Sequence, residues 1–396
     1  MAASARLCLL YLALFAFIGA AGNYLSLYLR AAGWTEPQIG WIDGLRYVCV
    51  LVFPVAWSRL ADRRGDLLGV LVLVTWACVL AFVPLLLTAD FVPAAVSLTV
   101  WAAFRVGTIP MTDALALAHV RTHGGDYGKF RSWGSAGFIG GSILMGAIVA
   151  WVGRRAVPAT LWGLLVATAL LASTGRRPGP ARPVAAPTRR SAALALLRRR
   201  PLAALYAVAF ASRLTSQGLY SFLPLHLENL GVPDAWVPSF WIVGVLCEIA
   251  LIRNLTALAG RWTARQVLVG CSLAAALQYG LTAIVTSPWV LLAVMPLHGI
   301  TFGVWYVTTL QELGRLGGPG ERATVQGLFQ TFAFGLGATG SAIAAGYLFR
   351  AGQGPLLFGV AALASLPVAL LAWWAIPEGP PLGRIQAASP GNEPVA

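Results

Sequence analysis

Charge is what this sequence has least of. Of its 396 residues only 11% are Asp, Glu, Lys or Arg, less than half the roughly 25% of an ordinary soluble domain. A water-soluble globule of this length would lack the polar surface it needs, and a disordered chain would not be so apolar, so both classes are excluded. Lysine is nearly absent: Lys129 stands alone beside 27 Arg. The five cysteines, Cys8, Cys49, Cys78, Cys247 and Cys271, lie in apolar runs. Odd in number and without disulfide or metal-ligand spacing, they read as small core residues. The four histidines, His119, His123, His226 and His298, are scattered, which leaves neither a zinc-type cluster nor a catalytic one. No metal, cofactor or enzymatic activity is implied.

Apolar residues are abundant instead, at 58% of the chain. At about 20 residues per crossing this provides for eleven or twelve membrane spans. Apolar stretches separated by polar punctuation fall at 7–29, 38–57, 67–88, 92–118, 132–152 and 157–174, then at 202–226, 236–258, 266–286, 288–311, 324–348 and 355–376. The first ends in Ala20-Ala21-Gly22, like a secretory signal. Its apolar run is nevertheless longer than the 7 to 15 residues of a signal core, and it reads as an uncleaved helix.

The net charge of +14 would suit a nucleic-acid binder if the arginines formed one face, but they sit between the spans. With both termini cytoplasmic, 20 of the basic residues fall inside and four (Arg30, Arg154, Arg155, Arg350) outside. That bias is the signature of insertion orientation in a cell (inner) membrane, and it removes nucleic acid from the list of partners.

Residues 175–200 hold eight Arg and four Pro and form a cytoplasmic linker held against anionic lipid, with Ala192 to Leu197 as a short surface helix. The linker separates an N-terminal six-helix bundle, 1–174, from a C-terminal one, 201–376, and a disordered cytoplasmic tail occupies 377–396. Leu60-Ala61-Asp62-Arg63 recurs as Leu258-Ala259-Gly260-Arg261, 198 residues on and at the equivalent loop of the second half. This fits a duplicated bundle. The glycines at 134, 137, 140, 141 and 146 follow no strand, so they form no phosphate loop and read as close helix packing.

The loop Ser58-Arg59-Leu60-Ala61-Asp62-Arg63-Arg64-Gly65-Asp66 resembles the signature loop of the major facilitator superfamily, with Ser58 and Asp66 as departures. Pro110-Met111-Thr112-Asp113-Ala114-Leu115 and Asp126-Tyr127-Gly128-Lys129-Phe130-Arg131-Ser132-Trp133-Gly134-Ser135 resemble the branch of phenylpropionate permeases, lactose permease and nucleoside proton symporters. Trp241 to Glu248 and Leu297 to Phe302 agree with it. The resemblance implies an all-α membrane fold of twelve helices in two pseudo-symmetric six-helix bundles. It also implies alternating access to a small-molecule substrate, a gating role for Asp62, Arg63 and Gly65, and function as a monomer. Where the family often carries an Arg in the ninth span, this chain has Gln278, and the usual Arg of the second span is displaced to Arg46.

Ionisable groups within hydrocarbon cost about 2.5 to 3.5 kcal/mol each on insertion scales, so each calls for a partner or a function. Asp43 and Arg46, three apart on one helix face, form an intrahelical pair or line the cavity. Arg105 and Asp113, eight apart, line one side of the fourth span. Glu248, mid-span among apolar residues, and His298 in the tenth span make a proton site on facing helices; for His298 a satisfied buried histidine is an equal alternative. Asn23, Arg213, Gln217, Gln278, Gln326 and Gln330 offer hydrogen bonds to a substrate. Trp41, Tyr220, Trp241 and Trp305 offer aromatic faces.

The expected activity is proton-coupled symport of a small organic solute, such as an aromatic carboxylate, a nucleoside or a sugar-like molecule. Proton-coupled export of amphipathic compounds is the alternative within transport. A membrane-embedded enzyme or receptor is the alternative outside it.

Overall fold

In the computed structural model residues 3–175, 190–318 and 321–383 are described, and they are helical nearly throughout. An isolated bridge between Thr263 and Pro381 is the β structure among them. The bilayer dictates this choice, because every backbone N–H and C=O in hydrocarbon must be satisfied within its own segment.

The chain divides into two compact units. The first contains α1 (Ala3–Ala31), α2 (Glu36–Arg64), α3 (Leu67–Leu87), α4 (Phe91–Arg105), α5 (Thr108–His123), α6 (Tyr127–Val152) and α7 (Val157–Ser173). Residues 227–238 also belong to it. They are held there by Arg154, which donates to Asp234 at 2.7 Å and also to Glu228.

The second unit begins with α8 (Arg190–Leu197) and α9 (Arg200–Asn229), and continues with α10 (Val237–Arg253), α11 (Leu255–Ala259), α12 (Ala264–Ile284) and α13 (Pro288–Val294). It ends with α14 (Trp305–Leu316), α15 (Arg322–Phe329) and α16 (Ala338–Ala375). Leu196 of α8 is buried in this unit's core beside Leu202 and Leu205. The linker residues 176–189 and the tail residues 384–396 lie outside the described residues. Before them, Leu382 and Gly383 donate backbone hydrogen bonds to Trp262 and Gly260.

Ten stretches among the described residues are long and apolar enough to cross a bilayer. One of these, Thr324–Ala375, is broken at Gly352 and Gln353, where the backbone leaves helical geometry and Gln353 takes a left-handed φ of 58°. The more polar α9, 30 residues long, completes a set of twelve.

Helix ends follow local chemistry. Gly65 takes a φ of 61° and stops α2, a geometry that costs glycine little. Asp66 caps α3 by accepting from the Gly69 N–H at 2.8 Å. Thr263 and Gln266 form a reciprocal capping box on α12.

The glycine run of the fifth span does pack helices closely. A Cβ on Gly137 would stand 2.2 Å from the Leu12 carbonyl oxygen, and one on Gly141 would stand 2.2 Å from that of Ala16. The α1 and α6 backbones therefore touch with no side chain between them.

Two features depart from a uniform reading of the spans. The fourth is interrupted at Val106 and Gly107, so Arg105 and Asp113 belong to different helices. Gly299–Val304 and Gln330–Gly337 are π-helical, a geometry that accommodates an extra residue per turn and recurs at functional sites.

Candidate functional site

Each unit carries its own polar groups. In unit 1, Arg46 donates to Asp43 at 2.6 Å, the i,i+3 ion pair that the spacing predicts. Its guanidinium also lies 5.2 Å from the Trp101 ring centroid, and Arg105 lies at the same distance from that ring. Trp101 is four residues before Arg105 on α4, one turn back on the same face, which is the sequence signal for this stack.

Asp113 lies elsewhere. Its Oδ1 accepts from the Tyr11 hydroxyl at 2.5 Å and from Tyr127 at 3.0 Å, tying α5 to α1 and α6. Tyr127 sits inside a motif already noted, whereas nothing in the sequence marked Tyr11. Asn23 is fully buried and donates to the Gly19 carbonyl at 2.7 Å and to Ser142 at 3.1 Å. The loop residues Asp62, Arg63 and Gly65 are all exposed.

Unit 2 assembles the more complex group. His298 Nε2 is 4.0 Å from Glu248 Oε2. Glycines make this approach possible: a Cβ at Gly303 would meet the Glu248 Cγ at 2.5 Å, and one at Gly244 would meet the His298 Cβ at 3.2 Å. Aromatic rings enclose the imidazole, with Phe302 stacked at 5.6 Å and Trp241 and Tyr220 edge-on at 5.1 and 5.5 Å.

The next layer is Arg213, buried against Tyr220, Phe302 and Phe334 at 5.0, 5.7 and 4.8 Å. It donates to Ser216 at 3.2 Å and to Gln217. Phe302 and Phe334 come from the two π-helical segments, so both distortions serve one site. Sequence periodicity does not reveal a π turn, and the cage was not legible for that reason.

Gln278 is fully buried, and its Oε1 accepts from the Thr301 hydroxyl at 2.8 Å. Gln326 and Gln330 are exposed on α15 and at the start of the second π segment. Trp305 is buried and Trp41 is exposed. Neither joins the cage around His298. Glu248, His298, Arg213 and Gln217 thus share one neighbourhood of unit 2, while the unit 1 candidates fall into four separate groups.

A twelve-span, strand-poor fold with paired cations, carboxylates and an imidazole on its spans is that of a solute carrier. Residues 4–360 match the MFS_1 like family, and the chain belongs to it. It is therefore an integral membrane transporter of the major facilitator type rather than an enzyme. The maltose permease of Geobacillus stearothermophilus is 25% identical over 369 residues, covering 92% of this chain and 93% of that protein. The probable 3-phenylpropionic acid transporter of Escherichia coli (strain K12) is 31% identical over 270 residues, covering 66% of this chain and 69% of the relative. Among solved structures, that of the nucleoside transporter NupG superposes with a TM-score of 0.79 at 17% identity, over 94% of this chain and 98% of the other. At that identity the likeness speaks for the fold alone.

Proposed function

We propose that the protein is a proton-coupled symporter that takes up a small organic solute by alternating access. The observation that carries this reading is the juxtaposition of Glu248 with His298 at 4.0 Å, the imidazole being walled by aromatic rings. A carboxylate beside a neutral imidazole can take up one proton, and that uptake changes the charge of the pair from −1 to 0. Loading that proton neutralises Glu248, and the loaded carrier then reorients more readily than the charged one.

The substrate class follows from the cations. Arg105 and Arg213 have no carboxylate among their hydrogen-bond partners in the described residues, which favours an anionic or hydroxyl-rich solute. The relative named for 3-phenylpropionic acid supports an aromatic carboxylate, and the one named for maltose supports a sugar-like one. The exposed loop with Asp62, Arg63 and Gly65 is the gating element in this reading, its charges exchanging partners between states. The arginine distribution supports cytoplasmic termini in a cell membrane, and the carrier works as a monomer.

The test is Glu248→Gln in proteoliposomes. The variant is expected to retain substrate exchange and to lose accumulation driven by a pH gradient. Unchanged pH dependence would remove Glu248 from the coupling role.

A further inference from the structure

Unit 2 holds two buried donors that no protein group answers. The Ser212 hydroxyl on α9 and the Trp305 indole N–H at the start of α14 have no hydrogen-bond partner among the described residues. Both residues line the same small pocket. A buried polar group without a partner is costly, and folded proteins keep few of them.

The rest of the pocket wall supplies acceptors. Thr215, Ser272 and Ser365 also line it, and each has committed its proton to a backbone carbonyl: Thr215 to Ser212 at 2.9 Å, Ser272 to Leu268 at 2.9 Å and Ser365 to Ala361 at 2.8 Å. Their oxygens keep lone pairs free to accept. Ser216, a further lining residue, accepts from Arg213 at 3.2 Å. The pocket therefore borders the cation that lies behind the His298 cage.

A hollow at equivalent repeat positions occurs in unit 1, where Leu14, Phe17 and Ile18 stand 198 residues before Ser212, Thr215 and Ser216, and Leu165 stands 200 before Ser365. Four apolar side chains in the first half are four hydroxyls in the second. The polarity belongs to the unit 2 pocket in particular, so its occupant must form hydrogen bonds.

Size and charge choose that occupant. The cavity measures about 20 Å³, whereas one water needs about 10 to 15 Å³ and sites for organic ligands start near about 300 Å³. An organic solute is excluded. No carboxylate lines the pocket, and the Arg213 guanidinium stands behind Ser216, which disfavours a cation. An anion is answered by donors alone, yet Thr215, Ser272 and Ser365 present lone pairs. Water both donates and accepts, and it matches a wall of both kinds.

We propose that the unit 2 pocket binds one buried water molecule, which accepts from Ser212 and Trp305 and donates to the hydroxyl oxygens of the wall. It joins α9, which carries Arg213, to α14, which continues from the π-helical segment Gly299–Val304. The inference concerns unit 2 alone and stands whether or not the carrier is coupled to protons.

The experiment is X-ray hydroxyl-radical footprinting of the full-length protein in nanodiscs, since radicals formed from a bound water oxidise the side chains beside it. Trp305 and Cys271 line the pocket and are each 3% exposed. Both are expected to be oxidised in the wild type despite that burial. Ala275→Val fills the pocket from a lining position and removes no hydrogen-bonding group. It is expected to slow oxidation of Trp305 and Cys271 at least threefold and to leave Phe222, buried elsewhere in the unit, unchanged. No oxidation of Trp305 and Cys271 in the wild type, or equal rates in Ala275→Val, overturns the proposal. Should that variant fail to fold, a density map of the wild type decides. A peak about 2.7 to 3.2 Å from both Ser212 Oγ and Trp305 Nε1 is expected, and an empty pocket in a map that shows other buried waters is the contrary result. Crystals grown in bromide are expected to show no anomalous peak there; a bromide peak would give the site to an anion and overturn the assignment to water.

Discussion

His298 and Glu248 meet across two glycines: Gly244 opens space for the imidazole on α10, and Gly303 admits the carboxylate stem against a π-helical turn. The pair stands 4.0 Å apart at its nearest atoms, too far for a direct hydrogen bond and within the reach of one bridging water. Neither residue is isolated, since Tyr220, Trp241 and Phe302 wall the imidazole and Arg213 lies behind Tyr220 and Phe302. A change in charge at this pair is therefore felt by α9, α10 and the segment Gly299–Val304 together.

The contact between α1 and α6 makes a sharp prediction about glycine. Gly141→Ala places a methyl group 2.2 Å from the Ala16 carbonyl oxygen, whereas Gly140→Ala meets nothing within 4 Å. The first is expected to destabilise the protein by about 1 to 3 kcal/mol, and the second to leave stability within about 0.5 kcal/mol of wild type. Unfolding of the two variants in the same detergent compares them directly.

Asp113 is predicted to act as a tie between helices. Tyr11→Phe and Tyr127→Phe each remove one of its two phenol donors, at a cost of about 1 kcal/mol apiece. Asp113→Ala leaves both hydroxyls without their acceptor and is expected to cost more than either single change. Double-mutant cycles on thermal unfolding measure the coupling, which is expected to be non-additive because the three groups form one network.

A third prediction concerns pH at the start of α9. Arg199 donates twice to Glu321, at 2.8 Å each, and the Gly318 N–H adds a third bond. The Arg199 guanidinium, followed by that N–H, holds the Glu321 carboxyl below the usual carboxylate range. A depressed carboxylate contributes its tie fully above the ordinary glutamate value of about 4.3 and loses it as pH falls through the lowered value. Amide exchange at Arg199 to Leu202, corrected for intrinsic rates, is thus expected to rise relative to wild type at pH 6 when the medium is taken to about pH 3. Glu321→Gln is expected to show the faster exchange at both pH values.

Much of this molecule was legible in its sequence. Apolar length located the spans, because hydrocarbon thickness fixes how many residues a helix needs. The starts moved outward by a few residues where capping side chains such as Asp126 and Thr263 govern them, whereas α3 begins at residue 67 as expected. The Asp43–Arg46 pair and the proximity of Glu248 to His298 followed from spacing and span order. The break at Val106 and Gly107 did not, because Gly107 is unremarkable in a membrane helix. The π segments were equally hidden, and with them the positions of Phe302 and Phe334 around Arg213. Tyr11 went unnoticed because a tyrosine in an apolar run reads as core until its hydroxyl is seen to reach Asp113.

Proton movement on substrate addition tests the central claim most directly. Proteoliposomes containing a trapped pH dye are exposed at equal internal and external pH to 3-phenylpropionate, uridine or maltose, with protein-free liposomes as the baseline. At least one solute is expected to acidify the lumen through the wild-type protein, and Glu248→Gln is expected to pass the same solute without that signal. Solute entry through the wild type with no change in internal pH, or equal acidification through Glu248→Gln, would contradict the account.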